Sequence, residues 1–102
     1  MFRQVVAVRW LDGISPEQKQ GYRDALEGLR TIPELLAMTC GDDAGYFEGN
    51  FDFVVVSDFA DFDSARVYVA HPVHQAWVRE HASKVIGERI VVQHDWTPAT
   101  SD

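Results

Sequence analysis

Between residues 51 and 59 the chain alternates with unusual regularity. Phe51, Phe53, Val55, Ser57 and Phe59 fall on one parity, and Asp52, Val54, Val56 and Asp58 on the other. Period two is the mark of an extended strand, because successive side chains point to opposite faces. The valines on the second parity show that neither face is purely polar. Residues 2–10 (FRQVVAVRW) have the same character and end in the turn sequence Leu11-Asp12-Gly13. Val6, Val8 and Trp10 share one side there, Val5 and Ala7 the other. Two further strands are predicted, at residues 35–40 and 88–96. Residues 42–50 (DDAGYFEGN) are rich in turn formers and read as a loop.

The period changes to that of a helix in two places. Ser15-Pro16-Glu17-Gln18 has a capping serine, a proline at the favoured first position and a glutamine that completes a capping box. Tyr22, Ala25, Leu26 and Leu29 then follow helical spacing, and the helix should stop before Pro33. Gly21 weakens it slightly. Asp61 offers a second cap, with helix expected over residues 64–70. Pro72 breaks or kinks the chain near His71, and a new helical segment starting at Pro72 should run to about Lys84, with Gly87 as the stop.

The order strand, helix, strand, strand, helix, strand predicts an α+β protein. It is the ferredoxin-like βαββαβ arrangement, with helices on one face of an antiparallel sheet. The other face carries too many large apolar residues to meet water, and such a face marks an interface. A homodimer is therefore expected, its two sheets packed face to face as a dimeric α+β barrel. With 102 residues there is room for one domain. It is expected to span residues 1–97, followed by a flexible polar tail at 98–102. At this size a ligand pocket must be small or shared with another chain.

Composition excludes several partners. Sixteen acids against nine Lys and Arg give a net charge of −7, and the bases are scattered. Nucleic acid needs a basic face, so no nucleic-acid partner is expected. No apolar run reaches the length of a membrane span, so no membrane partner is expected either. Residues 1–13 reach a charge and a turn too early for a signal peptide, and a cytoplasmic location is expected. The single cysteine, Cys40, follows an apolar run and is expected to be a buried or half-buried structural residue.

The candidate chemistry lies in residues 67–77 (VYVAHPVHQAW). Three readings of His71-Pro72-Val73-His74 compete. The proline may simply separate two helical pieces, with His71 as a cap residue and His74 at the surface. A zinc site would need three or four ligands, and no recognised spacing joins His71 and His74 to His81 or His94. The third reading is acid–base chemistry. His74 would exchange a proton near neutral pH, and the Tyr68 hydroxyl would stabilise charge growing on a carbonyl oxygen. On one unbroken helix Tyr68 and His74 would lie about 120° apart around the axis. A break at Pro72 can re-aim the second group toward the first.

The chain resembles the stress-responsive A/B-barrel (Dabb) domain family. The residues that carry this are Val6 to Trp10, the Ser15-Pro16-Glu17-Gln18 helix start, Gly41-Asp42, the 52–59 strand, Tyr68 with His71-Pro72-Val73-His74, and the closing His94-Asp95-Trp96. The likeness runs from about Phe2 to Trp96. It implies a dimeric α+β barrel of two ferredoxin-like protomers. The family is related to polyketide cyclases of the olivetolic acid cyclase type, which close a poly-β-keto thioester by an intramolecular aldol step. The resemblance puts the base of that reaction on His74 and the carbonyl-binding tyrosine on Tyr68, with no metal and no cofactor. Gln4 and Phe53 stand where the cyclase has further pocket histidines. Gln4 cannot act as a base, and Phe53 makes the pocket more apolar, so a different substrate is implied.

Two classes of function follow. One is a small cofactor-free enzyme or ligand binder for a polyketide-like molecule. Its pocket would be lined by Trp10, Phe53, Phe59, His71 and Trp77, with Tyr68 and His74 as the reacting groups. The other is a non-enzymatic stress-response dimer in which the aromatic residues are core. A dimeric-barrel monooxygenase is the weaker third, with His81 as its only candidate haem ligand.

Overall fold

The computed structural model describes residues 1–99; the last three residues of the expected tail lie outside the described residues. Strands β1 (Phe2–Trp10), β2 (Ala37–Asp42), β3 (Phe53–Phe59) and β4 (Ile86–Asp95) form one antiparallel sheet in the order β2-β3-β1-β4. Helices α1 (Pro16–Leu26), α2 (Phe62–Ala70) and α3 (Pro72–Trp77) connect them. The expected α+β, ferredoxin-like βαββαβ protomer is what forms.

The register assigns each strand residue to a face, because residues directly opposite in an antiparallel pair share one. The parity of Phe2, Val8, Phe53, Val55 and Phe59 faces the helices and is buried, with Tyr22, Leu26, Leu29 and Ile32 packed on it. The other parity has no helix over it. There Val5, Ala7, Val54, Val56, Ile90 and Val92 make a continuous apolar band. Ile90 and Val92 are 51% and 53% exposed. Charges close the band at both ends: Arg3 pairs with Asp58 at 2.7 Å, and Arg9 with Glu88 at 3.1 Å.

Several boundaries differ from the sequence reading. α1 keeps its capping box at Ser15 but tightens into a 3₁₀ turn over Glu27–Thr31. β2 begins two residues late, because Leu35 N–H first closes a turn on the Ile32 carbonyl at 3.1 Å. β3 also begins late, since the Asp52 N–H crosses to the Val8 carbonyl instead. α2 starts early, at the Asp61 cap, whose carboxylate accepts from Ser64 N–H at 2.8 Å. After Trp77 the third helix widens into a π-helical turn, Val78–Ala82, and ends with one turn at Ser83–Val85.

Gly87 does not stop that helix. It belongs to β4, at a bulge where the register shifts between Arg9 and Trp10. A Cβ there would meet the Trp10 carbonyl oxygen at 3.3 Å, tighter than an ordinary contact, so glycine suits the close approach of the strands. Cys40 is another correction. It is exposed, because β2 is an edge strand and the helices leave its outer side chains uncovered.

Candidate active site

Pro72 does separate two helices. α2 ends at Ala70, and His71 takes an extended backbone (φ −62°, ψ 138°) that turns the chain before Pro72 opens α3. His71 caps this new helix, its Nδ1 accepting from Val73 N–H at 3.1 Å. The Gln75 side chain ties the corner together by donating to the Val69 carbonyl at 2.8 Å. The result is the re-aiming that a straight helix forbids. The Tyr68 and His74 rings meet edge to face, with centroids 4.8 Å apart.

Both rings lie on the wall of a cavity of about 660 Å³ between the helices and the β1–β4 half of the sheet. Tyr22, Leu26 and Trp77 form much of its roof, and Val6, Val55 and Val91 its apolar floor. The floor runs out to the edge strand β4, where Arg89, Val91 and Gln93 are exposed and mark the mouth.

Burial sets the protonation of the two candidate groups. It pushes the His74 pKa below the ordinary imidazole value of 6.5, because a charged ring there loses water. The Val69 carbonyl opposes this and the Arg89 charge adds to it. Burial pushes Tyr68 up to about 12, against a hydrogen bond with Ser57. At neutral pH His74 is an unprotonated base and Tyr68 a protonated donor. His74 Nδ1 is sealed from solvent without a hydrogen-bond partner, and so is Trp77 Nε1.

The expected lining residues divide. Trp77 lines the cavity beside Tyr68 and His74. Trp10, Phe53, Phe59 and His71 do not line it. Phe59 is fully buried beneath Tyr68, with ring centroids 5.0 Å apart. Phe53 packs on Trp10 and Tyr22 at 5.6 Å from each, so these rings support the roof. His71 is spent on its capping bond. Sequence reasoning placed Tyr22 only as a helix-face residue, yet it is a wall of the cavity, 5.4 Å from Trp77. Ser57 and Gln93 were also missed as lining residues. Their signal was the parity they share with Gln4 once the strands are paired. Among the described residues no group of three or more His, Cys, Asp or Glu is placed to hold a metal ion. No helix among them is long and apolar enough to cross a membrane.

Comparison with solved structures places the chain among proteins of the same shape. A dimeric ferredoxin-like protein of unknown function from Thermobifida fusca is 34% identical, over 93% of this chain and 90% of its own, with a TM-score of 0.85. A Dabb family protein from Mesorhizobium loti is 17% identical, over 95% and 97%, with a TM-score of 0.80. A hydroxynitrile lyase from Passiflora edulis is 17% identical, over 98% and 96%, with a TM-score of 0.84. The last two likenesses speak for the fold alone. No curated protein sequence matches the chain. The family model for the stress responsive A/B barrel domain matches residues 2–97. The strand order, the sequence elements and this match agree, and the chain belongs to the stress responsive A/B barrel (Dabb) family.

Proposed function

We propose that the protein is a cofactor-free acid–base catalyst that closes a polyketide-like chain by an intramolecular aldol step. The observation that carries this reading is the meeting of Tyr68 and His74 at 4.8 Å on one cavity wall, each held neutral by burial. The unprotonated His74 ring takes a proton from a carbon flanked by two carbonyls. The Tyr68 hydroxyl donates to the carbonyl oxygen on which the enolate charge gathers. The enolate carbon then bonds to a second carbonyl carbon of the same chain, whose π electrons move to its oxygen. That oxygen recovers the proton from the His74 imidazolium, so no electrons are gained or lost overall.

The working unit in this proposal is a homodimer. The helix-free band of Val5, Ala7, Val54, Val56, Ile90 and Val92 is apolar at its centre and charged at its ends, as an interface is. The dimeric relative at 34% identity supports the same assembly.

The test is turnover of a linear poly-β-keto thioester, followed by appearance of the cyclised β-hydroxy thioester. His74→Ala should keep the wild-type circular dichroism spectrum and lose turnover. Tyr68→Phe should lower kcat by about 10²-fold or more, the usual loss when one oxyanion donor is removed. A fully active His74→Ala protein removes the histidine as base. A His74→Ala chain that does not fold makes the ring a structural part of the corner.

A further inference from the structure

The cavity floor is not uniformly apolar. Gln4 on β1 stands directly opposite Ser57 on β3 and Gln93 on β4, so the three share one face in a single row across the sheet. All three line the cavity. The next row along the same face is Val55, Val6 and Val91, which is wholly apolar. The floor is thus a polar stripe beside a hydrocarbon one. The stripe begins at Ser57, which lines the cavity together with Tyr68, and ends at the mouth.

At that far end the Gln93 amide donates to the Gln4 amide oxygen at 2.6 Å. Each primary amide has two N–H donors and one oxygen with two lone pairs. One bond between the two amides leaves both donors and acceptors free. This holds whichever way each amide is turned, so the argument survives an exchange of amide O and N. Neighbouring strands lie about 4.8 Å apart, so the pair sits one to two strand spacings from Ser57.

We propose that the Gln4–Gln93 amide pair is a second polar subsite, which selects ligands bearing an oxygen function remote from the carbonyl held at Tyr68 and His74. The ligand class is an elongated ketone whose second carbonyl or hydroxyl lies along the stripe and whose hydrocarbon edge lies over Val6, Val55 and Val91. This rests on the cavity being the ligand site proposed above, but not on its catalysing a reaction.

The sign of one comparison tests it. In a cavity with no partner at that position, an added hydroxyl weakens binding, because it must be stripped of water. With the amide pair as partner, it strengthens binding. The probes are methyl heptyl ketone and its analogues carrying one hydroxyl at successive carbons of the heptyl chain. Binding is followed by amide chemical shifts in an NMR titration, with no turnover required. The wild-type protein should bind at least one hydroxy ketone about threefold or more tighter than the parent, the size of one net hydrogen bond. Gln4→Met with Gln93→Met should reverse that order and bind the parent ketone as well as wild type or better. Gln93→Met alone, at an exposed position of an edge strand, provides the same reading if the double variant folds poorly. His74→Ala should keep the preference, which separates this inference from the catalytic one. A wild-type protein that favours the parent over every hydroxy ketone, that binds none of the probes, or whose preference survives Gln93→Met overturns it.

Discussion

At the scale of the residue, His74 carries the sharpest expectation. Its proton is disfavoured in the folded protein, so the base form persists to lower pH than for an ordinary histidine. The acid limb of kcat/KM should therefore turn below 6.5. The same shift acts on stability, with a definite sign. Below the ordinary value the unfolded chain binds the proton first, so acid favours unfolding. The histidine's effect is absent above that value and grows as pH falls through it. Urea melts at about pH 5 and about pH 7 should show this, and His74→Gln should reduce the difference between them. Tyr68 and His74 were legible in the sequence because a proline between them signals a deliberate change of direction. Parity reports a face, and it puts Phe53, Phe59 and Trp10 on the cavity's face of the sheet. It does not report depth, and these rings lie behind Tyr68 and Tyr22 rather than in front of them. Ser57 and Gln93 became visible only with the register, which no local pattern contains.

At the scale of the element, the corner between α2 and α3 is the part that decides the site. Besides backbone bonds, two side chains hold it, the His71 cap on Val73 and the Gln75 amide on Val69, while the Asp61 cap fixes the start of α2. Asp61→Ala should lower the melting temperature, as loss of an N-cap usually does, and Asp61→Asn should recover most of it. Thermal melts of the two variants give the comparison. Asp61 does not line the cavity, so ligand binding by the folded protein should be unchanged in both. Caps and proline positions were readable because they depend on three or four adjacent residues. Strand ends were less so. Leu35, Phe51 and Gly87 were misplaced because crossing backbone bonds, and a carbonyl 3.3 Å from a would-be Cβ, decide where pairing starts.

At the scale of the whole molecule, the single layer of helices leaves half of the sheet uncovered. The order of elements and the two-sided hydrophobicity of β1 and β3 make that legible in the sequence. Ile90→Asp with Val92→Asp should halve the mass seen by light scattering at micromolar concentration, while the far-ultraviolet spectrum stays folded. A wild-type protein that already runs as a monomer under those conditions removes the interface. Strand β4 gives this arrangement a further meaning. Its ten residues alternate between two tasks, with Ile90 and Val92 turned to the band and Val91 and Gln93 turned to the cavity. In the proposed dimer, docking of a second copy and capture of a ligand would draw on opposite sides of one ribbon. Where docking changes the ordering of this strand, the two events are coupled, and the coupling is reciprocal by thermodynamic necessity. Ligand affinity measured across the monomer–dimer transition reads that coupling, and an affinity that rises with protein concentration is the expected outcome.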